Sequence, residues 1–131
     1  MRMDLRTEFP RLLPRAIAWA EAQVARSAES GRCLDDSEVQ LARRVGVAQP
    51  ERVRVALVDA LPTPEDPELR AAALQAGLFG PGMVGLTIGR SIFVCRGHAT
   101  KRLLSHELRH VQQSEQAGSL AAFVSGYLQE I

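Results

Sequence analysis

The chain has 131 residues, 46% of them apolar and 24% charged, which is the composition of an ordinary globular domain and excludes a disordered, collagenous or disulfide-stapled chain. Sixteen Lys and Arg against fifteen Asp and Glu leave a formal charge of +1, and with no basic block and few aromatics there is no electrostatic footprint for nucleic acid. The apolar runs fall short of the roughly 20 residues of a membrane helix, and the start Met1-Arg2-Met3-Asp4-Leu5-Arg6 has no signal-peptide core, so the expected setting is the cytoplasm, with neither nucleic acid nor membrane as partner.

Taken in chain order, Leu13, Ile17, Ala20 and Val24 recur at helical spacing and predict a helix from about Pro10 to Ser30, stopped by Gly31. Asp35 with Glu38 three residues on reads as a capping box, opening a second helix through Val39, Leu41, Ala42 and Val45 to Gly46. Residues 1–46 are thus expected to be helical packing material without chemistry of their own. Val53-Arg54-Val55-Ala56-Leu57-Val58 is rich in β-branched residues and predicts a strand. Asp66-Pro67-Glu68 combines an N-cap, a first-turn proline and an acidic first turn, predicting a short helix to about Ala76 with a stop at Gly77. Met83 to Ile88 and Ser91 to Cys95, joined by Gly89-Arg90, predict a tight hairpin, so that residues 52–95 hold strands and one short helix. Residues 99–131 then predict a helix to Ala117, a break at Gly118 and a final helix carrying Leu120, Phe123, Val124, Tyr127, Leu128 and Ile131. The expected fold class is α+β in one domain. Cys33 and Cys95 are too few and too far apart for a cysteine metal knuckle or a disulfide framework, and read as small half-buried apolar side chains.

The chemistry is concentrated in His106-Glu107-Leu108-Arg109-His110. H-E-x-x-H on a helix puts two imidazoles on one face with a carboxylate beside them, the metal-binding and base-bearing core of a zinc hydrolase. With three His and ten Glu in the chain, the pattern arises by chance about half a per cent of the time. At 100° per residue, Glu107 falls among Leu103, Leu104, Leu108 and Val111 on the apolar side of the helix. A carboxylate placed there is costly to bury unpaired, and a dication with its bound water would supply the partner. The bland alternative is two solvated histidines and a glutamate on a rim.

The run His106-Glu107-Leu108-Arg109-His110-Val111-Gln112-Gln113, after a hairpin and before a turn and another helix, resembles the zincin zinc metallopeptidases, most nearly small single-domain gluzincins, over about residues 83–131. The resemblance implies a zincin-like fold: a small β-hairpin or sheet packed with the motif helix, backing helices and a C-terminal helix, the hairpin's outer strand binding an extended peptide. Catalytic zinc takes three protein ligands and an open position. Gln116 rules out the third histidine of metzincins, six residues after His110. Gluzincins take a Glu from the next helix, and Glu130, twenty residues after His110, matches that spacing. Glu115 is a competing carboxylate but lies about 180° around the helix from His106. His98 is more naturally a surface residue at a helix start.

The expected function is therefore a zinc peptidase acting on a peptide or protein substrate: His106, His110 and Glu130 hold Zn2+, and Glu107 is the general base. Tyr127 and His98 are candidate oxyanion donors. The alternative is a non-catalytic module on the same scaffold, in which the metal site supports fold and partner contact; the small size leaves little material to wall a substrate cleft.

Overall fold

The computed structural model of the chain describes the backbone of residues 4–129, and the side chains of residues 4 and 6–125. The order of elements is α1 (Leu5–Ser30), α2 (Asp36–Val45), a single 3-10 turn at Pro50–Arg52, β1 (Arg54–Val58), α3 (Pro67–Gln75), β2 (Gly85–Ile88), β3 (Ser91–Cys95), α4 (Lys101–Ala117) and α5 (Leu120–Gln129). This is an α+β fold around a small mixed sheet.

Side chains written into the sequence set most of the helix ends. Asp35 accepts from Glu38 N while Glu38 returns to Asp35 N, closing the capping box of α2. Asp66 caps α3 ahead of Pro67, and Thr100 caps α4 by accepting from Leu103 N at 3.1 Å. Gly118, at φ 88°, takes the left-handed turn that ends α4. Helix α1 is longer than its sequence suggests: it begins at Leu5, capped by Asp4, not at Pro10. Pro10 and Pro14 both lie inside it and both are exposed, four residues apart, so the carbonyls they leave unbonded are on the solvent side. Helix α4, by contrast, starts later than expected, at Lys101 and not about Ala99, and so does the first hairpin strand, at Gly85 and not Met83.

The strand order is β1-β3-β2, with β1 parallel to β3 and β2 antiparallel to it. Gly89 occupies the first position of the two-residue hairpin turn at φ 64°, where a side chain would be strained. Register fixes the faces: Val55, Ile92 and Thr87 stand in one row, and Leu57, Val94 and Gly85 in the next row of the same face. Onto this face α4 packs Leu104, Leu108 and Val111, with Ala42 from α2, and Leu108, Val111 and Ile92 are wholly buried. Trimming Leu108 to Ala would cost about 2–5 kcal/mol. Ala56, Phe93, Leu86 and Ile88 point the other way, against Trp19, Ala20 and Val24 of α1 and Leu120 and Val124 of α5. The sheet is thus covered on both faces.

The two edges of the sheet differ. Arg32 pairs with Val55 through two backbone bonds of 2.9 and 2.8 Å, which closes the middle of the outer edge of β1. On β2 the ladder bonds to β3 fall at alternate residues: Ile88 and Ser91 flank the turn, and Cys95 N bonds Val84 O at 2.9 Å. The peptide groups of Gly85 and Thr87 therefore point away from β3. No described helix is long and apolar enough to cross a membrane.

Candidate metal centre and its cavity

Helix α4 carries His106, Glu107 and His110, and its packing on β2 determines where each side chain goes. Leu108 and Val111 anchor one side of the helix in the core, which turns His106 to the exterior, leaves His110 half-buried, and presses Glu107 down on the strand. Glu107 is only 4% exposed. Its Oε1 accepts a 2.8 Å hydrogen bond from the Thr87 hydroxyl, which also stands 3.2 Å from the Glu107 carbonyl oxygen. A Cβ built on Gly85 would come within 2.9 Å of Glu107 Oε2 and 3.2 Å of its Cδ. The glycine is what lets the carboxylate lie on the strand.

The two imidazoles meet edge to face, centroids 4.8 Å apart and ring planes at 88°, with their Nε2 atoms 3.3 Å from each other. Two nitrogens bound to one tetrahedral zinc at about 2.0–2.1 Å would be about 3.3–3.4 Å apart. The pair therefore has the spacing of two neighbouring corners of such a site. Gln113 Oε1 lies 3.0 Å from His110 Nδ1. An amide oxygen only accepts, so in the neutral ring this contact favours the proton on Nδ1 and the lone pair on Nε2, the tautomer a metal ligand needs. Among the described residues no group of three His, Cys, Asp or Glu is gathered as a metal site. Glu130, the expected third ligand, lies outside the described residues, as does the side chain of Tyr127.

Glu115 has a different occupation. Its Oε1 accepts from Ala48 N at 2.7 Å and its Oε2 from Gln49 N at 3.0 Å, with Arg90 Nε at 3.3 Å. It ties the end of α4 to the loop after α2 and to the hairpin turn. His98 is exposed in the turn between β3 and α4, where its carbonyl accepts from Thr100 N at 2.8 Å. Cys95 is half-buried as expected, but Cys33 is exposed; both are free thiols.

His106, Glu107, His110 and Gln113 open on a cavity of about 900 Å³. Its floor is β2 together with Val84 just before it. Leu12, Trp19 and Ala20 of α1, Leu69 and Ala72 of α3, and Phe123 of α5 form the opposite walls. Residues 1–46, read from the sequence as helical packing material, also supply a wall of this cavity: α1 is long enough to reach across β2 and face the histidines. Thr87, Gly85 and Trp19 had no assigned role in the sequence. Gly85, a glycine inside a strand pattern, is the one with a local signal of close approach. Gln113 could have been found from its three-residue spacing to His110, which places them on one helix face. No family model, no curated protein and no solved structure matches the chain.

Proposed function

We propose that the chain is a zincin-like zinc-dependent peptidase, with His106, His110 and Glu130 as metal ligands and Glu107 as general base. The observation that carries this reading is the 3.3 Å spacing of the two Nε2 atoms with Glu107 beside them, all lining one cavity. Support also comes from Glu107 itself. A carboxylate at 4% exposure makes no ion pair with any described Lys or Arg, and such a group needs a positive partner.

In this mechanism His106 and His110 present neutral Nε2 lone pairs, and Gln113 holds the second ring in that tautomer. Bound zinc would polarise the scissile carbonyl and lower the pKa of a coordinated water toward about 7. Glu107 takes the proton of the attacking water and delivers it to the leaving nitrogen as the C–N bond breaks. Thr87 and Gly85 fix that carboxylate on the strand, so that it need not reorganise during the transfer. The outward peptide groups of Gly85 and Thr87 give an extended substrate a strand to pair with, next to the base.

Zinc content of tag-free protein prepared without chelator, compared with His110→Ala and Glu130→Ala, tests the reading. About one zinc per chain, lost in both variants, is expected, with hydrolysis of a peptide mixture that disappears in Glu107→Gln. Wild-type protein that takes up no zinc after incubation would overturn it. Stoichiometric zinc without hydrolysis would favour the non-catalytic scaffold.

A further inference from the structure

The cavity beside the histidines has an uneven chemistry. Its polar side chains, Thr87, His106, Glu107, His110 and Gln113, all come from β2 and α4, on one side. The rest of the lining is aliphatic or aromatic, the Trp19 indole included, and among the described residues no Lys, Arg or Asp lines it. Trp19 meets Phe79 edge to face at 6.1 Å, which makes an aromatic corner opposite the motif helix. At about 900 Å³ the space is several times that of one Leu or Phe side chain, near the top of the roughly 300–1,000 Å³ typical of enclosed ligand sites.

We infer that this cavity selects an internal, uncharged peptide segment with two bulky apolar side chains flanking the scissile bond, and that it rejects free termini and charged side chains. The inference rests on the peptidase reading of the same site and adds what it cuts. Among the described lining residues a free α-carboxylate would find no Lys or Arg, and a free amine or a lysine no Asp or Glu except Glu107. Either charge would be desolvated without a partner. The action is thus endo, not exo. A segment of peptide fits better than a lone acyl chain because β2 offers the outward N–H and C=O groups of Gly85 and Thr87 along the floor, which a hydrocarbon cannot use.

Trp19 is the chain's single tryptophan, so its emission reports entry into the cavity directly. The wild-type chain, dialysed against chelator, is titrated with acetyl-Gly-Leu-Phe-Gly-amide. The comparison probes are the same peptide with Lys or Gly in place of Leu, the free dipeptide Leu-Phe, and dodecanoyl-glycinamide. The blocked apolar peptide should shift Trp19 emission, and the Gly probe should bind about tenfold more weakly. The Lys probe should be weaker still, and the free dipeptide should leave the emission unchanged. Ala73→Phe, which adds a ring to the α3 wall, should weaken the first peptide in the same way. Equal binding of the Lys peptide or the free dipeptide would overturn the inference, as would tighter binding of the acyl amide or a Trp19 signal that no peptide moves. Because no zinc is present, the result separates from the peptidase reading. Peptide binding by a chain that never takes up zinc would keep the cavity and remove the hydrolase; zinc uptake without peptide selectivity would do the reverse.

Discussion

Two glutamates eight residues apart on α4 sit in opposite circumstances. Glu115 is held by two backbone N–H groups and a guanidinium, which tie it to two pieces of chain: the loop at Ala48 and Gln49, and Arg90 of the hairpin turn. Glu107 is the more buried, yet the described side-chain donor that reaches it is one neutral hydroxyl, from Thr87, and it faces a cavity. A carboxylate saturated with donors is a structural knot; one buried with few donors keeps lone pairs for something else.

The sharpest way to break this contrast is to neutralise each glutamate in turn. Glu107→Gln keeps shape, removes the proposed base, and should lower hydrolysis by about 10²–10⁴-fold while the thermal midpoint stays the same or rises. Glu115→Gln should do the reverse, lowering stability in urea titrations by about 1.5–3 kcal/mol, the scale of hydrogen bonds to a charged group, with hydrolysis per folded molecule unchanged. If Glu115→Gln were the variant that lost turnover, the assignment of roles would be wrong.

Gly85 offers a subtler test, since its missing Cβ is what seats the Glu107 carboxylate. Gly85→Ala puts an atom 2.9 Å from Oε2 and 3.2 Å from Leu103 Cδ1, so the carboxylate must move. If Glu107 is the base proposed, its misplacement should lower kcat by about 10²-fold, with any bound zinc unchanged; full activity would show that the cradle is incidental. Next in size is Thr87. Thr87→Val removes the hydroxyl and keeps the volume, and should lower kcat by about tenfold, with Thr87→Ser restoring most of it. A loss that Ser does not rescue would point to packing and not to the hydrogen bond.

The same pair of glutamates shows which information was local. Helix ends were legible because capping is chemistry within four residues: Asp35 with Glu38, Asp66 with Pro67, and Gly118 each signalled a terminus within two residues of where it falls. The start of α1 was not, because two prolines in one helix are tolerated only when their unbonded carbonyls reach solvent, and facing depends on the packed structure. His106, Glu107 and His110 were legible as a set through helix periodicity, and Glu115 was correctly separated from them by its angle. Its three donors, at positions 48, 49 and 90, were not. Nor was Thr87, twenty residues upstream of its partner, or the wall supplied by α1, since nothing in a local pattern says which helix faces which strand.

The smallest effect concerns the wall opposite the two glutamates, where carboxylates are again paired but at the surface. Arg15 Nε bonds Asp66 at 2.7 Å and Arg11 bonds Glu68 at 2.6 Å, clamping α3 on α1 at one side of the cavity. The Arg15 guanidinium, chiefly through its hydrogen bond, holds the Asp66 carboxyl below its ordinary value of 3.8, and Arg11 in the same way holds Glu68 below 4.5. Because the folded values are the lower ones, the clamp contributes fully above the ordinary carboxylate range and is lost as pH falls through the depressed values. The Arg11–Glu68 pair is exposed and the Arg15–Asp66 pair only half-buried, so salt screens both and the contribution is modest even where it is complete. Amide exchange in α3 should therefore be flat from neutral pH down to about 5 and then, corrected for intrinsic rates, accelerate below about 4. Arg15→Gln should raise exchange slightly at neutral pH and flatten the acid step, and high salt should do the same to the wild type. An acid step of equal size in Arg15→Gln would show that α3 is held on α1 by its buried Leu69 and Ala72 alone, leaving the cavity wall indifferent to charge.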